Sequence, residues 1–208
     1  MSQNNNSNLE IEVKFLVPNL SEIRDRLLLS GAVSLRPRTY ERNIRYDNAW
    51  DGLMRQGKLL RLRQDANAII TYKGHPGEDI PSEARIREEL EMTVEDFDTA
   101  ASILERIGFE PRQVYEKYRE TYEILAVEVV LDEMPFGDFV ELEGEESSIK
   151  AVAQQLRLNW DRRILTNYLN LFASLKESHH LPFKDLTFEN FATTNHSACD
   201  ILDYSISE

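Results

Sequence analysis

Glutamate, glutamate and lysine stand at every second position of Leu9-Glu10-Ile11-Glu12-Val13-Lys14-Phe15-Leu16-Val17. A period of two is the mark of a half-buried β-strand, so Glu10, Glu12 and Lys14 share one face. The pattern returns further along the chain. Arg61 and Arg63 flank Leu62, Thr71 and Lys73 flank Tyr72, and Arg85, Arg87, Glu89 and Glu91 alternate with Ile86 and Leu90. Lys117 and Arg119 then flank Tyr118, and Glu141 and Glu143 flank Leu142. Arg offers phosphate a rigid fork of donors and Lys a compact charge. Clustered carboxylates bind hard divalent cations such as Mg2+ or Mn2+ through oxygen. One such strand is ordinarily a solvated face, and exposed cross-strand ion pairs are worth only ~0.2–1 kcal/mol each. Six of them in one small domain call for a counterpart, and cations facing carboxylates would hold a metal-bound polyphosphate.

The elements that must position these faces follow from pattern and punctuation. Strands are predicted at 9–17, 38–47, 59–63, 69–73, 84–92, 112–123, 126–132 and 138–143. A short helix fits between Ser21, a suitable N-cap, and Gly31, a suitable stop. The clearest helix starts near Val94 and carries Phe97, Ala101, Leu104 and Ile107 up to Gly108. Two more are expected at 146–157 and 163–177, while 74–81 reads as a loop rich in Gly and Pro. Strands mostly in succession give an α+β domain with an antiparallel sheet. Amphipathic helices must cover its apolar face, and curling the sheet into a barrel would gather the charged faces into a hydrated lumen. Residues 1–8 are expected to be disordered, 9–177 to form the domain, and 178–208 to be an acidic, flexible tail.

Composition narrows the partners. The chain has 208 residues and a formal net charge of −13, so nucleic acid and anionic membranes are not the expected ligands. Its single cysteine, Cys199, excludes an intramolecular disulfide and a multi-cysteine zinc site. No apolar run approaches the ~20 residues of a membrane helix. The polar, Asn-rich start lacks a signal-peptide core, so a cytoplasmic protein is expected. Tyr40 and Tyr46 are more ordinary as packing than as proton carriers, and the histidine pair His179-His180 reads as surface scatter with some capacity for metal.

The segment Glu10-Ile11-Glu12-Val13-Lys14 resembles the ExExK signature of the CYTH superfamily, the triphosphate tunnel metalloenzymes. The likeness continues in order through Tyr46-Asp47, Leu60-Arg61-Leu62-Arg63, Thr71-Tyr72-Lys73, Arg87-Glu88-Glu89-Leu90-Glu91, Lys117-Tyr118-Arg119, Asp132 and Gly137–Glu143. It spans roughly residues 9–172 and implies an eight-stranded antiparallel β-barrel, a tunnel with a charged lumen flanked by amphipathic helices. By resemblance, Glu10, Glu12, Glu89, Glu91, Asp132, Glu141 and Glu143 would surround divalent metal. Lys14, Arg61, Arg63, Lys73, Arg87, Lys117 and Arg119 would hold a triphosphate, with Glu10, Glu12, Lys14 and Lys73 closest to the chemistry. Many members carry a basic residue and Ser-Tyr near the domain's end. Here Thr166-Asn167-Tyr168 stands there, with Arg162 or Arg163 as other sources of the charge.

The expected reaction is metal-dependent hydrolysis of a small triphosphate such as tripolyphosphate or a thiamine or nucleoside triphosphate. The alternative is a class IV adenylate cyclase forming cyclic AMP and pyrophosphate from ATP. A non-catalytic polyphosphate-binding module ranks behind both, since anion binding alone needs no acidic ligand set. A homodimer is left open.

Overall fold

The computed structural model describes residues 8–77 and 80–202. The expected disordered start therefore lies outside the described residues except for Asn8, and so do positions 203–208 of the expected tail. Eight strands run in the chain as β1 (Leu9–Val17), β2 (Val33–Asp47), β3 (Leu59–Gln64), β4 (Ala68–Gly74), β5 (Arg85–Val94), β6 (Glu110–Ile124), β7 (Val127–Met134) and β8 (Gly137–Glu143). They pair in the order β1-β5-β4-β3-β2-β6-β7-β8 and close back on β1, every pairing antiparallel. Among the described residues six α-helices accompany them: α1 (Leu20–Leu29), α2 (Gly52–Arg55), α3 (Phe97–Arg106), α4 (Glu146–Gln155), α5 (Tyr168–His179) and α6 (Phe188–Phe191).

Register carries the alternation round the ring. Glu10 and Glu12 sit opposite Arg87 and Arg85, and Lys14 sits opposite Glu141. Arg61 faces Thr71, and Thr71 faces Glu91. The odd-numbered neighbours on β1 then point outward. Val13 and Phe15 join Val129, Leu131, Leu142, Ile149 and Leu27 in a core beneath α1 and α4. Ile44, Tyr46 and Leu62 pack beneath α3 against Ala100 and Leu104. Burying such a side chain stabilises the fold by roughly 1.5–3 kcal/mol relative to exposure.

The helices start where side chains can receive their free N–H groups. Asn19, not Ser21, caps α1 by accepting from Ser21 N–H at 2.8 Å. Asp96 accepts from Thr99 N–H at 2.7 Å ahead of α3. The segment after Asp47 folds into α2 because the Asp47 carboxylate accepts the N–H groups of Leu53 and Met54, both at 2.9 Å.

Two further expectations need correction. The helix predicted from 163 begins only at Tyr168, where Asn167 accepts from Asn170 N–H. Ile164 instead continues the sheet: β1 pairs with β5 only as far as Glu12, and Lys14 and Ile164 exchange backbone hydrogen bonds at 3.1 and 2.7 Å. The segment after 178, expected to be a flexible tail, is docked as far as it is described. Leu186 bonds to the backbone of Val114 and Glu116 on β6 at 2.9 and 3.0 Å. Leu181, Leu186, Phe191 and Ala198 are buried with Phe172 of α5 and with Leu16, Phe136 and Phe139. These apolar residues follow neither helical nor strand period, because they pack singly onto a surface formed by other elements. No helix among the described residues is long and apolar enough to cross a membrane.

Candidate functional site

The ring encloses a cavity of about 730 Å³. Thirteen Lys and Arg side chains line it against seven Glu, inside a chain of net charge −13. The acidity of the protein therefore lies on its outside, and the lumen is a local cationic field.

One wall gathers the glutamates. Glu10 accepts from Lys73 Nζ at 2.7 Å, and the same ammonium stands 3.1 Å from Glu89. Lys14 reaches Glu12 at 2.6 Å and Glu141 at 3.2 Å, while Arg85 pairs with the other oxygen of Glu12 at 3.0 Å. Glu141 also takes Arg119 at 2.6 Å, so an ion-pair chain crosses four strands. Glu143 makes no ion pair with a described residue.

The protonation equilibria follow this arrangement. Burial, reinforced by Glu10 and Glu128, pushes Glu143 up to about 8. Burial also raises Glu10 to about 7, against the pull of Lys73 and with the push of Glu12 and Glu89. Glu12 is equally buried, yet Lys14 overrides that penalty and holds it below the usual carboxylate range. Glu141 is held lower still, where burial is overcome by Lys14 and Arg119. Such an oxygen-only set, with more carboxylate than its ion pairs offset, suits a hard divalent cation rather than a softer one.

The opposite wall is guanidinium. Arg61 donates to Thr71 at 2.9 Å and to Glu91 at 3.1 Å, and Arg63 stands 3.9 Å from Glu41 and 4.0 Å from Glu91. Arg87 also lines the cavity but spends its donors on the carbonyls of Gly57 and Gly74, at 2.7 and 3.4 Å.

Deeper, Asp132 is fully enclosed. It accepts from Lys117 at 3.0 Å, Arg119 at 2.7 Å and the Tyr168 hydroxyl at 2.9 Å. The seven acidic residues predicted to share one metal environment therefore divide. Glu10, Glu12, Glu89, Glu141 and Glu143 converge, whereas Glu91 joins Arg61 and Asp132 is closed in by its own donors. Lys117, likewise, does not line the cavity.

Several lining residues escaped the sequence. Arg45, Tyr115, Glu128 and Tyr168 all reach the cavity. Glu41, Asn43 and Arg45 alternate with Ile44 and Tyr46 on β2, a signal present in the sequence but not extracted. Asn43 is fully buried, and neither polar atom of its amide has a hydrogen-bond partner among the described residues. At the C-terminal side, the cations are Lys176 and Lys184, and neither Arg162 nor Arg163 lines the cavity. Arg163 lies over the Trp160 ring at 5.1 Å and donates to the Glu83 carbonyl. Tyr46 is buried beneath α3, and Tyr40 lies tilted against Tyr118 with ring centroids 5.4 Å apart, both as packing.

Comparison with known proteins agrees with this geometry. The profile of one protein family, described as CYTH domain, matches residues 8–167. A curated relative from Methanocaldococcus jannaschii, named "Putative adenylate cyclase", is 25% identical over 175 residues, covering 78% of this chain and 98% of its own. A solved structure of the same designation from Vibrio parahaemolyticus superposes with a TM-score of 0.69 at 23% identity, covering 80% and 98% of the two chains. A Hippeastrum protein, also named as an adenylyl cyclase of that standing and described as having a dominant triphosphatase activity, gives a TM-score of 0.56 at 17% identity over 80% and 95%.

Proposed function

The chain belongs to the CYTH domain family, and on that premise we propose that it is a divalent-metal-dependent hydrolase of a triphosphate. The observation that carries this reading is the cavity itself: thirteen cations and a converging glutamate cluster enclosed within an acidic protein. A triphosphate bears several negative charges along one short axis; Arg61 and Arg63 would offer it guanidinium donors, with Arg87 and Arg119 adding positive charge to the same cavity. Lys14 and Lys73, paired with the glutamates, would offset charge developing on the leaving oxygen.

Glu10, Glu12, Glu89, Glu141 and Glu143 would hold Mg2+ or Mn2+. The bound ion would supply polarisation of a phosphoryl oxygen and a water of lowered pKa. Around it, the chain's own groups orient the terminal phosphoryl for attack by water; a P–O bond forms and the bond to the bridging oxygen breaks. Asp132, Lys117 and Tyr168 act behind Arg119 by fixing its guanidinium. This reading keeps the cytoplasm as the compartment and a small molecule as the substrate.

A second reading is favoured by the names of the relatives. In a cyclase, the same frame would hold ATP while the ribose 3′-hydroxyl attacks the α-phosphorus and pyrophosphate leaves. One experiment separates the two. Purified protein is incubated with Mg2+ or Mn2+ and tripolyphosphate, thiamine triphosphate, ATP, GTP or triphosphorylated RNA, and the products are resolved. Orthophosphate release supports hydrolysis, and cyclic AMP with pyrophosphate supports cyclisation. Metal-linked binding without turnover of any of them would leave a polyphosphate-binding module and overturn the enzyme.

A further inference from the structure

His179, His196 and Asp200 come together on the face of α5 that carries the C-terminal segment. One ligand atom of each lies within 4.8 Å of the other two. His179 is the last residue of α5, while His196 precedes, and Asp200 ends, a short 3-10 turn (Ala198–Asp200). The two imidazoles stack with centroids 4.0 Å apart and planes 30° apart. The Asp200 carboxylate stands 3.3 Å from His196 Nδ1 and accepts from Ser197 N–H at 3.0 Å. The turn is anchored from below: Ala198 is fully buried and donates its N–H to the Phe136 carbonyl at 2.7 Å. The three side chains are therefore presented by fixed backbone, although they are 17 and four positions apart in sequence.

We propose that this triad is a transition-metal site, selective for Zn2+ over Mg2+, that fastens the C-terminal segment to α5. Two imidazoles and one carboxylate with a position left for water are a donor set for zinc, whereas Mg2+ prefers oxygen alone. In a tetrahedral site with bonds of about 2.0–2.1 Å, ligand atoms lie about 3.3 Å apart. All three side chains reach solvent at least in part, which leaves room for side-chain rotation to draw the ligand atoms together. The sequence neighbour His180 is not part of the set; its backbone turns to the left-handed region at φ 52°.

The site differs in chemistry from the glutamate cluster, so the two sort cations by donor type. It also acts on the cavity's end, because α5 begins at Tyr168, bonded to Asp132, and ends at His179. A metal at that end ties down the helix that closes the lumen.

The test uses untagged full-length protein, saturated with Mg2+ and then titrated with Co2+ and Zn2+. The expected result is one equivalent of Co2+ giving visible d–d absorption that Zn2+ abolishes. The thermal midpoint is expected to rise by several degrees with Zn2+. Both responses are lost in His179→Ala and His196→Ala and kept in Glu143→Gln. Circular dichroism without added metal confirms that the histidine variants fold, as their partly exposed positions lead one to expect. Responses unchanged in both histidine variants, abolished in Glu143→Gln, or absent at millimolar Co2+ would each overturn the proposal.

Discussion

The Tyr168 hydroxyl donates to Asp132 Oδ2 at 2.9 Å, joining the first turn of α5 to the barrel wall at β7. Asp132 has no solvent exposure, so Lys117, Arg119 and Tyr168 supply what water cannot. Removing the phenol with Tyr168→Phe takes one donor from a buried charge and is expected to cost about 1.5–3 kcal/mol. Asp132→Asn leaves two buried cations short of their counter-charge and is expected to cost about 3–5 kcal/mol. Urea melts would report both, and two variants within 0.5 kcal/mol of wild type, on the order of experimental scatter, would contradict this account.

Arg61 is the centre of the guanidinium wall, bonded to Thr71 and Glu91. Arg61→Ala is expected to lower triphosphate turnover by about 10²-fold or more while the fold persists. Arg61→Lys restores little, because an ammonium lacks the planar fork. Glu10→Gln is expected to be as damaging through loss of a metal ligand. Phosphate release measured beside circular dichroism separates lost chemistry from lost structure.

Carboxylates crowded at the glutamate wall destabilise the metal-free protein. Glu143, pushed to about 8, is raised above its unfolded value, so the folded state holds an extra proton between pH ~4.5 and 8. Its contribution is full below that window and is lost as pH rises through it. Metal-free protein should thus melt at lower temperature at pH 9 than at pH 6. Glu143→Gln should flatten that slope, and added Mg2+ should raise the wild-type midpoint by several degrees and the variant's by less. A pH-independent midpoint in wild type would count against the crowding.

Glu41 shows the opposite sign. It is 2% exposed, and although burial opposes its charge, Lys117, Arg119 and Arg63 bring it down to about 2. A depressed carboxylate contributes stability that is present above pH ~4.5 and lost as pH falls toward 2, here on the order of 3 kcal/mol. Acid titration of Glu41→Gln should show lower stability at pH 7 and a shallower acid limb than wild type.

Leu186 is fully buried where the C-terminal segment crosses β6. Leu186→Ala is expected to cost about 2–5 kcal/mol, the range for a buried leucine whose cavity collapses only in part. A change below 0.5 kcal/mol, roughly a surface effect, would show that the segment contributes nothing to stability.

Period-two alternation is a local property, and what it alone determines was legible: β1 from Leu9 to Val17, and the shared face of Arg85 to Glu91. What depended on distant surfaces was not. Ile164 fits the helical spacing of Tyr168 and Phe172, yet the unpaired backbone beside Lys14 claims it for the sheet. Lys176 and Lys184 reach the cavity only because of how α5 and the following segment dock. Asp132 looked like one more acidic ligand, and only the approach of Lys117, Arg119 and Tyr168 shows it to be a closed ion-pair centre.

The strand that carries Glu10, Glu12 and Lys14 is the earliest of the eight described strands in chain order and among the last to be completed. Its partners on the two sides are β5 and β8, and Ile164 takes its remaining backbone. A nascent chain that stops short of Gly137 therefore leaves β1 half-paired, with its charged side chains in water rather than gathered in a cavity. The cavity of this protein is therefore complete only after the whole circle has been drawn shut.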